Sequence, residues 1–153
     1  MGHIHELFDF TISAYIVNNR GEVLLVDHPN YKKWLPIGGH VDLNEDPEQA
    51  LYREIKEECG LEVTVLSSKP ELESNGTKFL LTPNYLDVHE AHLPHRHISF
   101  VYFAKSTSDE FVKSEEHDDM RWLNESELTD EKYNLSEAII FYCKAAIKLA
   151  KNY

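Results

Sequence analysis

The amino-acid sequence predicts an α+β layered sandwich, in which a β-sheet is covered by helices. Short runs of β-branched, aromatic and other apolar residues recur between positions 8 and 123, as is typical of strands. Two longer segments, one after a glycine pair and one near the C-terminal end, instead repeat apolar residues at helical spacing. Because the 153 residues show no internal repeat or linker, we expect a single domain over residues 1–153.

The N-terminal part is predicted to form two strands, at residues 8–18 and 22–27. They are joined by the sequence Asn-Asn-Arg-Gly at residues 18–21, which is typical of a hairpin turn. The polar and aromatic segment 28–35 then predicts a loop that leads to the paired glycines.

A helix is predicted from Pro47 to Cys59. Asp46 suits the N-cap, Pro47 the first helical position, and Gln49 the reciprocal position of a capping box. Gly60 is expected to end the helix in a left-handed conformation. Spacing predicts an apolar face and an acidic face: the first contains Leu51, Ile55 and Cys59, and the second contains Ala50, Glu54, Glu57 and Glu58.

The rest of the chain predicts further strands and a second long helix. The predicted strands are 62–67, 77–88 with an interruption near Pro83, 97–105 and 119–123, and one helical turn is predicted at 125–128. The C-terminal helix, about 135–151, is amphipathic. Its inward face is predicted to hold Ile139, Tyr142, Cys143, Ala146 and either Leu149 or Ala150.

Charge and composition argue against several functional classes. With 27 acidic and 15 basic residues the net charge is −12, and an acidic protein repels long RNA or DNA. No segment approaches the roughly 18 apolar residues of a membrane span, and residues 1–10 lack the pattern of a secretory signal. Cys59 and Cys143 have no disulfide or metal-binding spacing. We therefore expect a cytoplasmic protein that binds neither long nucleic acid nor a membrane.

The segment 39–61 carries the strongest functional signal. Glu54, Glu57 and Glu58 are related by i, i+3 and i+4, so their like charges share one helix face and repel one another. A bound cation would offset that repulsion, and Mg²⁺ prefers oxygen ligands such as carboxylates and substrate phosphates. The alternative for such a cluster, taken alone, is a solvated acidic helix face. The glycine pair before the helix allows positive φ angles and a close backbone approach to a ligand, which favours the metal site.

This segment resembles the Nudix box, the signature motif of the Nudix (MutT-like) hydrolases. All nine specified positions of the box are filled, by Gly39, Glu45, Arg53, Glu54, Ile55, Glu57, Glu58, Gly60 and Leu61. Nine positions at fixed spacing make the resemblance specific. One departure is visible: many members have proline directly before the glycine pair, where this chain has Ile37 and carries a proline one residue earlier, at Pro36.

The resemblance implies the α/β/α Nudix fold with a mixed sheet, and hydrolysis of a nucleoside diphosphate linked to a further group with the help of Mg²⁺ or Mn²⁺. Glu57 and Glu58 are the expected metal ligands, together with the backbone carbonyl of Gly38. Glu54 is expected either as a third ligand or as the base that activates water. Arg53 completes the expected catalytic group and can pair with an acid such as Glu45; an ordinary surface ion pair is the alternative for this arginine.

Further site residues are expected outside the box. The resemblance also implies an additional acid from the loop before the strand that carries a late tryptophan. Glu116 matches that place best by its spacing from Trp122, with Glu115 next; a solvated acidic loop is the alternative. The candidate substrate-binding residues are Gly39, Arg96, Tyr31 and Tyr85, since an arginine can pair with phosphate and aromatic faces can stack on a base. Core or rim packing is the alternative for the aromatic residues.

A histidine cluster comprises His89, His92, His95 and His97. A zinc site is one interpretation, because imidazole is a common zinc ligand. The irregular spacing and the lack of an accompanying cysteine instead favour a strand entrance near the site, where Arg96 meets a phosphate or carboxylate, or an exposed loop without a special role.

Two other functions are compatible with the fold that the resemblance implies. A non-catalytic ligand-sensing Nudix module should lack box acids or carry a DNA-binding domain, and this chain shows neither feature. An isoprenoid diphosphate isomerase should place a cysteine near the glycine loop, whereas the cysteines here stand at 59 and 143. The expected partner is a small nucleotide-type diphosphate. The sequence leaves open the substrate, the general base, and whether the protein forms a homodimer.

Overall fold

A computed structural model describes residues 6–153, so residues 1–5 of the N-terminal segment discussed above lie outside the described residues. The described part contains eight strands in one mixed sheet and two α-helices, which confirms the predicted α/β/α sandwich. The strands are β1 (Phe8–Val17), β2 (Val23–His28), β3 (Lys33–Leu35), β4 (Ile37–His40), β5 (Val63–Val65), β6 (Tyr85–His92), β7 (His95–Ser106) and β8 (Asp119–Leu123). The helices are α1 (Pro47–Glu58) and α2 (Glu137–Ala150), and a 3-10 turn spans Glu127–Thr129.

Strand β1 is the centre of the sheet. It pairs in parallel with β7 along its whole length and antiparallel with β4, and it meets β2 through Val17 and Val23. The main strand order is β3-β2-β1-β7-β5, while β8 pairs with β2 and β6 pairs with β7, all antiparallel apart from the β1–β7 pair. The parallel pair makes the sheet mixed, as expected.

Side chains of β1 alternate between two hydrophobic cores, as the twofold repeat of a strand requires. Ile12, Ala14 and Ile16 belong to the core beneath α1. Tyr15 and Val17 belong to the second core, which is covered by α2. Both faces of this strand are therefore buried over its C-terminal half.

Helix α1 begins and ends as predicted. The Asp46 side chain accepts from the backbone of Gln49, the Gln49 side chain accepts from the backbone of Asp46, and Gly60 follows the helix with a φ of 65°. The apolar face is buried as predicted, with Leu51, Ile55 and Cys59 in the core under the helix.

The predicted acidic face of α1 is wrong at two positions, because Ala50 and Glu58 are buried. The reason is that α1 packs against β4 as well as β1, so it buries a wider arc than its i, i+4 apolar stripe. Glu54 and Glu57 remain on the side that faces the glycine strand and solvent.

Several strand boundaries differ from the sequence prediction. Residues 33–35 and 37–40 were expected in loops but form β3 and β4, since pairing with β2 and β1 overrides the weak strand preference of glycine. Strand β6 begins only at Tyr85, because Pro83 has no N–H to donate to a ladder. Strand β5 is shorter than predicted and β7 longer, since β7 pairs with three other strands.

The C-terminal segments agree more closely with prediction. Strand β8 has the predicted bounds, and the predicted helical turn is a 3-10 turn displaced by two residues at its start. In α2 the predicted residues Tyr142, Cys143 and Ala146 are buried, and of the two open alternatives Ala150 is buried while Leu149 is partly exposed. The predicted Ile139 is partly buried against the same core.

Asp87 connects β6 to α2. Its carboxylate accepts from the Tyr142 hydroxyl at 2.7 Å and from the His89 ring at 2.8 Å. The hydrogen bond from His89 is the largest cause that lowers the pKa of Asp87 below 3.8, with the Tyr142 bond adding to it against a burial effect that raises it. Because the pKa of Asp87 is lower in the folded state than in the unfolded state, its ionised carboxylate stabilises the folded state above pH 3.8. This stabilisation is lost as the pH falls through the folded-state pKa.

We therefore expect Asp87→Asn to lower the free energy of unfolding by about 1 kcal/mol at pH 5. The difference from the original protein should shrink as the pH is lowered below 3.8, as measured by urea unfolding at several pH values. Glu73→Gln, at an exposed acid, is the control. A deficit of equal size at pH 5 and at pH 3 would show that the Asp87 charge is not responsible.

Both cysteines are buried free thiols, one in each core, in agreement with their predicted role as core residues. Within residues 6–153, no helix combines the length and the apolar character needed to cross a membrane.

Candidate metal-binding active site

The two glycines of β4 lie against the acidic face of α1 and against β1. A Cβ added to Gly39 would overlap the carboxylate of Glu54, and a Cβ added to Gly38 would overlap the backbone oxygen of Ile12. Both glycines are therefore in close contact with the protein itself, and the expected approach of a ligand to this backbone stays a prediction. The expected positive φ is wrong, because both residues are extended and paired with β1. Glycine is required here for the missing side chain.

Arg53 ties the loop before α1 to the helix. Its Nε and Nη2 donate to the two carboxylate oxygens of Glu45 at 2.8 and 2.9 Å, which confirms the predicted pairing. Nη2 also donates to the backbone oxygen of His40 at 3.0 Å. A bidentate arginine–carboxylate pair fixes the relative orientation of the two side chains as well as their distance, so it holds the segment between β4 and α1 in place.

The remaining guanidinium nitrogen of Arg53 orders the acids. Nη1 donates to Glu54 at 2.7 Å and to Glu57 at 3.2 Å. Glu54 is largely enclosed, whereas the Glu57 side chain is 60% exposed and extends toward solvent. Arg53 thus holds two of the three predicted carboxylates close together. We call the cluster of Arg53, Glu54, Glu57 and Glu58 the acidic corner.

Glu58, the third predicted acid, is buried, with only 4% of its surface exposed. Its Oε1 accepts from the backbone N–H of Gly38 at 3.0 Å, and its Oε2 accepts from the His117 ring at 2.6 Å. Each carboxylate oxygen has a second lone pair, so both contacts leave capacity for a metal ion. Glu58 is thereby fixed between β4, α1 and the loop before β8.

His117 was not predicted from the sequence. It is 6% exposed, and its Nδ1 has no hydrogen-bond partner among the described residues. Its neighbour Glu116, the predicted extra metal ligand, is exposed, and its backbone N–H donates to Ser114. The signal that could have identified His117 is a histidine inside the acidic run that precedes Trp122, because histidine is buried more often than aspartate or glutamate.

Burial raises the pKa of Glu54 to about 7, and the charge of Glu58 adds to that effect, whereas the hydrogen bond from Arg53 lowers it. The corner therefore holds more negative charge than Arg53 alone compensates. A divalent cation would favour the ionised form of these acids, and oxygen donors are the ligands that Mg²⁺ and Mn²⁺ prefer. The donor set thus fits a hard divalent metal ion.

Of the predicted aromatic substrate residues, Tyr31 lies near this corner. Its ring centroid is 4.7 Å from that of His28, and the His28 ring is 5.9 Å from that of His117, the partner of Glu58. Tyr31 is 40% exposed and also stacks on His92 at 5.9 Å.

The other two predicted substrate residues have other aromatic contacts. Tyr85 is 41% exposed and contacts Tyr142 and Phe103 beside α2, which agrees with the alternative of rim packing and leaves part of its ring accessible. The Arg96 guanidinium lies 4.5 Å from the centre of the Phe8 ring. The histidine cluster is not a loop: it lies on the hairpin formed by β6 and β7.

Comparisons with known proteins agree with this geometry. A family model of the NUDIX domain matches residues 8–142. The chain belongs to the NUDIX hydrolase family. A NUDIX-family hydrolase from Clostridium perfringens has 36% identity and a TM-score of 0.79, with 93% of this chain and 97% of that chain covered. A MutT NUDIX hydrolase from Burkholderia pseudomallei has 26% identity and a TM-score of 0.64, with 91% and 98% covered.

Curated relatives match over a shorter stretch. The RNA pyrophosphohydrolase of Acinetobacter baylyi is 38% identical over 56 residues, which are 37% of this chain and 34% of that relative. The match therefore spans between 24% and 34% of the length of these curated relatives.

Proposed function

We propose that this NUDIX protein is a divalent-metal-dependent pyrophosphohydrolase that cleaves the diphosphate bond of a nucleoside diphosphate linked to another group. The candidate substrates are ADP-ribose, nucleotide sugars and (d)NTPs. The observation that carries this proposal is the convergence of Glu54, Glu57 and Glu58 beside the side-chain-free strand of Gly38 and Gly39. The family assignment and the pyrophosphohydrolase names among its relatives support the reaction type. We also propose that residues 1–153 form one NUDIX domain.

Glu57 and Glu58, with Glu54 and the backbone oxygen of Gly38, are the residues that would hold Mg²⁺ or Mn²⁺. When bound, such an ion neutralises phosphate charge and makes water a better nucleophile. Glu116 is exposed on the neighbouring loop and stays a candidate for an additional ligand. Exposure of Glu57 leaves the corner open to an incoming phosphate.

The chain's own groups then bind, orient and move a proton. Glu54 is the candidate base, with metal ligation as its alternative role, because it is enclosed and Arg53 holds its carboxylate in place. Burial raises its pKa to about 7 without metal, and a bound cation would lower that pKa again. The attacking water forms a new P–O bond, its proton passes to the base, and the bridging P–O bond breaks. Arg53 keeps the Glu54 carboxylate oriented throughout, and His117 keeps Glu58 in place.

For substrate binding we propose Tyr31 and Gly39. Gly39 has no side chain to block the space beside Glu54, and the exposed Tyr31 ring offers a face on which a nucleobase can stack. Arg96, whose guanidinium lies over the Phe8 ring, and Tyr85, which contacts Tyr142, were also predicted from the sequence and stay further candidates for substrate contact. We also infer a cytoplasmic location, in line with two cysteines that lie in separate cores and form no disulfide framework.

Hydrolysis of a 5′-phosphorylated RNA end is the second candidate. The names of the curated relatives, RNA pyrophosphohydrolase and NAD-capped RNA hydrolase, favour it. The net charge of −12 opposes it, since a long polyanion would be repelled from most of the surface. We therefore rank a small nucleotide above RNA as the substrate.

A phosphate-release screen tests the proposal. Purified protein with Mg²⁺ is offered ADP-ribose, nucleotide sugars, dinucleoside polyphosphates, (d)NTPs and a 5′-triphosphorylated RNA oligonucleotide. We expect metal-dependent turnover of a small nucleotide, abolished by EDTA. Turnover of the RNA alone would select the second candidate. Absence of turnover on every substrate would instead favour a non-catalytic ligand-sensing module.

Gly39→Ala is expected to lower metal-dependent turnover by about tenfold or more. The new methyl group would overlap the Glu54 carboxylate and displace it from its position beside Arg53. The effect should be non-additive with Glu54→Ala, because removal of that carboxylate also removes the overlap. Additive losses in this double-mutant cycle would contradict the steric explanation.

A further inference from the structure

We propose that Asp9, His40 and His97 form a second metal site, which takes a zinc-type transition-metal ion. One ligand atom from each of these residues lies within 4.8 Å of the other two. None of the three belongs to the acidic corner described above. The inference therefore does not depend on the proposed hydrolase activity.

Strand register places these side chains on one face of the sheet. Asp9 on β1 is paired with His97 on the parallel strand β7. His40 on β4 is paired with Thr11, which is two residues beyond Asp9 and therefore on the same face of β1. Three neighbouring strands thus place one ligand side chain each on the same face of the sheet: β1 contributes the carboxylate, and β4 and β7 contribute one imidazole each.

The two proposed metal sites lie on opposite faces of β4. Consecutive residues of a strand point to opposite faces, so His40 and Gly39 face different sides. The Glu54 carboxylate lies against Gly39 on the α1 side. A metal ion bound by His40 is consequently separated from the acidic corner by the strand itself.

The chemistry of the donor set selects the class of metal. Two imidazole nitrogens and one carboxylate oxygen are ligands of zinc and of other first-row transition metals, whereas Mg²⁺ prefers oxygen atoms alone. His40 Nε2 lies 3.4 Å from Asp9 Oδ2, and the rings of His40 and His97 are 5.0 Å apart. Three protein ligands leave further coordination positions for water or an anionic group.

The surroundings support the ligands and leave them accessible. His95 Nε2 lies 2.6 Å from Asp9 Oδ2 and fixes the orientation of that carboxylate. The His40 and Asp9 side chains are 54% and 44% exposed, so an ion can reach them from solvent, while His97 is partly enclosed.

Zinc titration of the full chain in saturating Mg²⁺ tests this proposal, because Mg²⁺ would compete with zinc for oxygen-only sites such as the acidic corner. We expect calorimetry to detect one zinc ion bound per chain. Asp9→Asn, which preserves shape, and His40→Ala, at an exposed side chain, should each weaken zinc binding by about tenfold or more. Thermal melting without metal checks that each variant is folded.

Two control variants separate this site from others. His92→Ala removes a histidine of the same hairpin that is not in the three-residue cluster, and it should leave zinc affinity unchanged. Glu57→Gln should also leave zinc affinity unchanged. Zinc binding that is absent, that survives both Asp9→Asn and His40→Ala, or that is lost in Glu57→Gln would overturn the proposal. None of these results bears on the nucleotide screen.

Discussion

Replacing Glu57 by glutamine is expected to lower the turnover of the preferred nucleotide by about a thousandfold or more while the protein stays folded. The physical reason is the loss of one negative oxygen ligand from a site whose metal ion contributes several kcal/mol of charge stabilisation to the transition state. The Glu57 side chain is 60% exposed and pairs with Arg53 at 3.2 Å, a contact at the protein surface, so the fold should not depend on it. Steady-state kinetics with saturating Mg²⁺, together with a melting curve, measure both parts.

Glu62→Gln is the matched control, because it makes the same chemical change at an exposed acid just beyond α1. It should retain the original turnover. Unchanged turnover in Glu57→Gln would remove this residue from the metal ligands. A large fall in melting temperature would instead show that Glu57 has a structural role.

Replacing His117 by alanine is expected to lower the free energy of unfolding by about 3–5 kcal/mol, because it leaves Oε2 of the buried Glu58 carboxylate without its hydrogen-bond partner, while Oε1 keeps the Gly38 N–H. For a chain of this size that corresponds to a fall in melting temperature of roughly 6–20 °C. Thermal and urea unfolding in EDTA measure the effect without a contribution from bound metal.

Two comparisons test the cause of that loss. His92→Ala, at an exposed histidine, should change stability by less than about 1 kcal/mol. The combination of His117→Ala with Glu58→Gln should be less destabilising than the sum of the single changes, since the neutral amide needs no charged partner. Additive effects, or a loss below 1 kcal/mol in His117→Ala, would show that the pair is not a stabilising contact.

Local signals of the sequence were reliable where neighbouring residues determine the structure. The capping box of Asp46 and Gln49 and the left-handed Gly60 depend on contacts within one helix turn, and both are confirmed. The Arg53–Glu45 pair also follows from short spacing, because the loop between them is brief and the helix phase is fixed. The apolar stripe of α1 was likewise predictable from its period.

Signals that depend on distant parts of the chain were missed. The burial of Glu58 requires both β4 and the loop that carries His117, which is 59 residues away in sequence. The strand at the glycine pair exists because β1 supplies partners for it, whereas glycine itself disfavours strands. The aromatic contacts of Tyr85 likewise depend on a distant segment, since its partner Tyr142 belongs to α2.

The histidines illustrate the same limit. Their spacing in the hairpin gave little reason to expect a metal site, because the closest ligand set draws on three strands from different parts of the chain. Asp9 and His97 are adjacent only through the parallel pairing of β1 with β7.

The sequence by itself determined the family, the limits of helix α1 and the presence of three acids on its surface, because capping, helical period and box spacing are local properties. Only the tertiary structure decided which of those acids is buried, which histidine holds it, and which side chains share a face of the sheet. The physical reason is that burial and cross-strand contacts depend on pairing between segments far apart in the chain, which short-range spacing does not encode.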